Sequence, residues 1–152
     1  MKIVEFLRSD CVIDNLAGRT GAAVLSELCR PLAQGQKVDG QKLLDTLLER
    51  EKLGSTGIGD GVAIPHGKVS GLPALLASFG RSVEGVDFRA IDGRPTNLFF
   101  ALFAPENSAG AHLKALARIS RIFKNATFRE SIMKASDAAE IFRLIEAEDA
   151  KY

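Results

Sequence analysis

The sequence predicts an α/β fold: a single domain with a mixed central β-sheet flanked by helices on both faces. Three observations predict it. Apolar residues recur at helical spacing in three stretches before residue 54 and in three after residue 108. Short apolar runs broken by glycine and proline lie between them. One of those runs, Leu98-Phe99-Phe100-Ala101-Leu102-Phe103, is apolar throughout, as a strand buried on both faces is. Helices on either side of strands in the chain imply a sheet covered on both sides. The length of 152 residues suits one domain, 1–152, able to bury a real core without metals or disulfides.

The elements follow in order. Ile3, Phe6 and Leu7 fit a short helix over 2–8, and Cys11-Val12-Ile13 an edge strand. Thr20 caps a second helix running to about Gln34, with Val24, Leu25, Leu28 and Leu32 on one face. Pro31 predicts a kink or early break there, and Gly35 a stop. Asp39 caps a third helix carrying Leu43, Leu44, Leu47 and Leu48, which Gly54 ends. The glycines of 54–61 predict a tight loop leading into a short strand, Val62-Ala63-Ile64, closed by Pro65. A central strand is expected over Leu72 to Arg81, a short extended piece over Phe88 to Ile91, and a turn at Asp92-Gly93. Pro105 ends the 98–103 strand. A helix then runs from Ser108 to Phe123, with Leu113, Leu116, Ile119 and Phe123 inward and Lys114, Arg118 and Arg121 largely outward. Capping boxes at Thr127–Glu130 and Asp137–Glu140 start helices over 128–134 and 138–148.

Composition excludes several classes. With 46% hydrophobic and 26% charged residues the chain is globular rather than disordered. A net charge of +1 argues against a basic nucleic-acid binder. No apolar run is long enough to span a membrane, and the N-terminus has no signal-peptide pattern, so a cytoplasmic location is expected. The two cysteines, Cys11 and Cys29, fit no disulfide framework or CxxC pattern, and Cys29 reads as core. There are only two histidines, His66 and His112. Any chemistry that needs imidazole must use one or both.

His66 follows a short apolar strand and Pro65, and precedes Gly67. That setting holds a reactive side chain at a strand edge near backbone amides; a surface histidine beside an ordinary turn is the alternative. His112 lies in the first turns of a helix, where anions bind and an imidazole is kept neutral. A satisfied, half-buried histidine is the alternative there. Arg50, at the end of the third helix, could reach a phosphoryl oxygen bidentately or simply belong to the solvated 49–52 charge run. Asp60 could orient an imidazole, bind a partner's basic side chain, or serve as an Asp-Gly turn. Gly57-Ile-Gly59-Asp-Gly61 lacks the third glycine and the strand-to-helix context of a dinucleotide fingerprint. Gly67-Lys68-Val69 lacks Walker A spacing and the hydroxyl for Mg²⁺. The histidines have no cysteine partners at metal-ligand spacing, and no serine has a G-x-S-x-G context.

The run from Glu49 to Gly67, with Gly-Ser-Thr-Gly-Ile-Gly at 54–59 and Ile64-Pro65-His66-Gly67 at its end, closely resembles the active-site segment of phosphotransferase-system enzyme IIA components. The class is fructose/mannitol, and the branch its nitrogen-regulatory one. Val86–Pro95, the 98–105 strand ending in Ala104-Pro105-Glu106, and His112-Leu-Lys-Ala-Leu116 extend the resemblance over nearly the whole chain. Gly21-Ala22-Ala23 and Pro31 depart from that branch's pattern.

The resemblance implies a phosphotransferase/anion-transport-protein-like fold and a phosphohistidine at His66. It implies His112 and Arg50 in the same site and a carboxylate at Asp60. The donor would be a histidine-phosphorylated phosphocarrier protein of the nitrogen-type relay, with no metal or organic cofactor. The output would be regulation of nitrogen metabolism or potassium homeostasis through binding proteins such as potassium-transport regulators or sensor kinases. Transfer onward to a separately encoded IIB permease component is the alternative. A module that keeps the fold without phosphorylation is a third reading, against which His66, His112 and Arg50 together argue. The end at Tyr152, with no transport segment attached, favours the regulator.

Overall fold

Ten residues, Thr96–Pro105, form the strand on which the sheet is built, and eight of them are buried. The computed structural model describes residues 1–36 and 38–152. A 3-10 turn at Ile3–Glu5 leads into β1 (Leu7–Ile13). Then come α1 (Gly21–Gln36), α2 (Gly40–Lys52), β2 (Gly57–Gly59), β3 (Val62–Ala63), β4 (His66–Val69) and β5 (Leu76–Val86). The central strand is β6, followed by α3 (Ala109–Phe123), α4 (Ala126–Lys134) and α5 (Ala138–Asp149).

The sheet order is β1-β5-β6-β3-β2, with β4 also alongside β6. β1 runs parallel to β5, and β3 and β4 run parallel to β6; the pairs β5–β6 and β2–β3 are antiparallel. The sheet is therefore mixed, as predicted. Neighbouring side chains on β5 show its two covered faces, because strand residues alternate sides. Ser78 Oγ donates to the carbonyl of Leu28 in α1, at 2.8 Å. Phe79, next along, stacks on Phe123 of α3 with ring centroids 5.7 Å apart.

Several expectations are corrected. The helix expected over 2–8 is only a 3-10 turn at Ile3–Glu5: the apolar side chains of Phe6 and Leu7 are drawn into the sheet core, and the edge strand expected at 11–13 starts at Leu7. Pro31 does not break α1, which runs through Gly35 to Gln36. One missing N–H is outweighed by complete burial of Leu28 and Leu32 on either side. The glycine loop is a β-hairpin, β2 turning into β3 through Gly59, Asp60 and Gly61, all at positive φ. β5 starts at Leu76, after Pro73, and runs on to Val86. The piece expected over 88–91 joins no strand ladder and forms a strap along β2, held by Ser55 Oγ to the Phe88 carbonyl and by Ile91 N to the Gly57 carbonyl. On α3 the buried face is His112, Ala115, Ile119, Ile122 and Phe123; Leu113 is exposed. α4 is capped by Asn125 rather than Thr127, whereas Asp137 caps α5 as expected. Asp39 caps α2, accepting from Gln41 N and Lys42 N.

Two polar arrangements tie the layers. The Arg81 guanidinium is 5% exposed and has only carbonyl partners: Asp14, Ile132, Met133 and Ala135. Three of these end α4, so the helix's negative pole serves as its counter-charge. At the chain ends, Arg118 does not point outward as expected. It pairs with buried Asp149 at 2.6 Å, and Lys2 Nζ donates to the carbonyls of Asp149 and Tyr152.

α2 reaches the sheet through one close approach. A Cβ on Gly67 would overlap Thr46 Cγ2, and Thr46 cannot swing freely because its hydroxyl donates to the Lys42 carbonyl at 2.8 Å. This contact sets how near α2 lies to β4. Gly67→Ala is expected to lower unfolding free energy by about 1–3 kcal/mol in urea titration. Adding Thr46→Ser removes the methyl, keeps the hydroxyl bond, and should recover most of the loss. A Gly67→Ala protein as stable as the parent would refute this contact as the spacer.

Candidate functional site

His66 opens β4 opposite Leu102 of β6. Its place follows from Pro65. Ile64 N donates to the Thr56 carbonyl on the hairpin side, while the Pro65 carbonyl accepts from Leu102 N on the β6 side. Proline thus stands at the change of partner, where no N–H is needed. The Ile64 carbonyl lies 2.6 Å from His66 Nδ1. A carbonyl only accepts, so Nδ1 carries the proton and Nε2 keeps its lone pair.

Residues in register on neighbouring strands share a face. Leu102 is on the same side as Phe100, whose ring meets Phe123 of α3. His66 therefore faces α3, and there it meets His112. The ring centroids are 5.6 Å apart at 74°, an edge-on arrangement. His112 is 8% exposed, and its buried Nε2 has no hydrogen-bond partner among the described residues. A buried ring nitrogen without a partner is costly unless something occupies the space beside it. Ser108, at the N-cap of α3, does not cap with its side chain; its hydroxyl donates to Pro105 instead. The first-turn N–H groups of α3 remain an electropositive end next to the histidine pair.

Charge and burial hold both rings neutral. Burial pushes His66 below the usual histidine range, and the Arg50 guanidinium adds to this; the bond to Ile64 and the Glu51 carboxylate oppose it. His112 is lowered by burial first, then by His66 and Lys68. Arg50 sits in the last turn of α2, half-buried, with Nη1 donating to the Gly54 carbonyl at 2.8 Å. The structure thus brings His66, His112 and Arg50 together.

Asp60 is not brought to them. It sits on the β2–β3 turn at φ 57°, its N–H donating to Asp92 at 3.0 Å. The adjoining Gly61 carbonyl accepts from Asn97 and Leu98, while His66 is level with Leu102. Four strand residues separate these levels, about 13 Å.

Two residues were not singled out from sequence. Glu51 accepts from Thr56 N and Thr56 Oγ1, fixing the loop that follows α2, and its charge bears on His66. Lys68 stands two residues beyond His66 in β4, on the same face. Period-2 spacing from His66 is the signal that finds Lys68; Glu51 is masked by its charge run. Among the described residues, no group of three or more His, Cys, Asp or Glu is placed to hold a metal ion, and no helix is long and apolar enough to cross a membrane.

The chain is similar to known proteins. The family model for the phosphoenolpyruvate-dependent sugar phosphotransferase system, EIIA 2, matches residues 5–148. A nitrogen regulatory protein of Bradyrhizobium diazoefficiens is 34% identical, with 95% of each chain aligned. The fructose-specific EIIABC component of Bacillus subtilis is also 34% identical, over 98% of this chain but 24% of its own length. The crystal structure of nitrogen regulatory protein IIA-Ntr from Neisseria meningitidis superposes with a TM-score of 0.88 at 35% identity, covering 94% of this chain and 98% of the other. The chain therefore belongs to the EIIA 2 family of the phosphoenolpyruvate-dependent phosphotransferase system, as a phosphotransfer-relay protein that closely matches the nitrogen-regulatory IIA-Ntr branch.

Proposed function

We propose that Nε2 of His66 accepts a phosphoryl group from a histidine-phosphorylated phosphocarrier protein, and that the resulting state governs binding to regulatory targets. The observation that carries this reading is the fixed tautomer of His66 beside the unpartnered Nε2 of His112. The His66 lone pair attacks the donor's phosphorus in line. A new P–N bond forms as the donor's P–N bond breaks, and the donor imidazole leaves with that electron pair. The His66 ring becomes cationic during attack; its Nδ1 proton stays on the Ile64 carbonyl bond, which stabilises that charge. Imidazole is nucleophile and leaving group alike, so the transfer is reversible.

Little bond chemistry is left for the protein beyond alignment and charge neutralisation. His112 donates to an equatorial oxygen through Nε2–H, meeting its own unmet hydrogen bond. The uncapped start of α3 adds backbone N–H groups, and Arg50 adds a guanidinium. Asp60, on the hairpin turn, is assigned to contact with a protein partner's basic side chain rather than to the imidazole.

Alignment over nearly the full length of nitrogen regulatory proteins supports the regulatory reading, with nitrogen metabolism or potassium homeostasis as the output and the cytoplasm as the place. Similarity to one segment of a fructose-specific EIIABC component supports a second reading, transfer onward to a separate IIB. Chase of labelled protein with a IIB component separates them: loss of label to IIB favours the second.

His66→Ala is expected to take no label from a radiolabelled phosphocarrier. His112→Ala should still label, but about a hundredfold more slowly. Full labelling of His66→Ala refutes the acceptor assignment. Since both imidazoles are held below the usual range, the transfer rate should stay level on acidification past about pH 6.5 and fall only at lower pH. The unfolded chain binds more protons there than the folded one, so stability also declines below about pH 6.5. A rate that halves at or above pH 7 contradicts this picture.

A further inference from the structure

We propose that Lys68 is a movable counter-charge for the phosphorylated site: it rests beside the carboxylates of α2 when His66 is bare and closes on the phosphoryl oxygens when His66 carries phosphate. This rests on His66 being the acceptor.

The placement comes from the strand. His66 and Lys68 face Leu102 and Ala104 of β6 in register, so both side chains stand on the α3 face. Their Cα atoms are about 6.6 Å apart, within the span of a four-carbon lysine stem. Gly67 between them points to the other face, against Thr46. Lys68 is exposed, and no carboxylate is ion-paired with it among the described residues. It has two electrostatic neighbourhoods. On one side its charge bears on His112. On the other it lines a hollow of about 500 Å³ with Asp39, Asp45 and Glu49.

Charge decides between the two. Each carboxylate of the hollow offers one negative charge, exposed to solvent and screened. A phosphoryl group on Nε2 brings close to two, beside buried His112 where screening is weaker. The ammonium therefore shifts toward the phosphoryl group once it arrives. Arg50 approaches from the end of α2 and is tethered to the Gly54 carbonyl. Lys68 is the untethered cation of the site, so the charge it supplies follows the phosphorylation state. Its departure leaves the hollow with Lys42 and, through its pair with Glu49, Lys52 as the remaining cations, so the surface beside the site turns more acidic by one charge as the site itself fills.

The test compares Lys68→Gln and Lys68→Arg with the parent, using a labelled phosphocarrier. Both changes are on the surface, so folding is unaffected. In Lys68→Gln the equilibrium share of phosphoryl on this chain should fall about tenfold relative to the carrier, while Lys68→Arg should stay within about twofold of the parent. By ³¹P NMR, the second ionisation of the bound phosphoryl group should move to higher pH in Lys68→Gln and return in Lys68→Arg, which a loss of packing alone does not produce. Unchanged equilibrium and unchanged phosphoryl ionisation in Lys68→Gln overturn the inference. Parent protein that takes no label at all overturns the acceptor reading beneath it instead.

Discussion

The hydrogen bond from His66 Nδ1 to the Ile64 carbonyl is the constraint around which the site is organised. It selects one of two tautomers, and in doing so selects which nitrogen keeps its lone pair. The bond exists because the backbone changes partner at Pro65, from the hairpin to β6. Each neighbour of His66 is then placed by a separate piece of the fold. α3 brings His112 over the sheet face, and α2 brings Arg50 around the sheet edge. The Gly67–Thr46 contact sets how near α2 comes. Displacing any one of these leaves His66 present but poorly surrounded.

The site also depends on exclusion of water without exclusion of a partner. His112 is nearly covered and His66 is half-buried. Burial keeps both rings neutral and strengthens whatever charge contacts form. The same burial leaves His112 Nε2 without a hydrogen-bond partner among the described residues. In the core the aromatic rings Phe79, Phe100 and Phe123 pack edge-on or stacked around one another.

Much of this was legible in the residues. The six-residue apolar run at 98–103 declared a strand buried on both faces, and the Asp39 and Asp137 caps marked true helix starts. His66, His112 and Arg50 were named from local chemistry and family resemblance, and the fold brings them together. What failed, failed for tertiary reasons. Phe6 and Leu7 fit a helical period and a strand equally, and the sheet edge decided. Leu113 and His112 are adjacent, so a shift of one position on α3 exchanged an apolar residue for an imidazole on the buried face. Asp60 lies close to His66 in sequence, but the hairpin carries it toward the other end of β6. Lys68 and Glu51 owe their relevance to neighbours distant in the chain, which no local pattern reveals.

The fastening of the two chain ends has a topological consequence. Lys2 reaches the carbonyls of Asp149 and Tyr152, and Val4 N donates to the Asp149 carboxylate. Entry and exit points of the domain are therefore neighbours on one surface, beside Arg118 and Arg121 of α3. A polypeptide can be led in and out there side by side, so the unit suits insertion into a larger chain as a self-contained loop-out. The geometry that seals the domain also makes it portable between a free-standing relay and one segment of a longer protein.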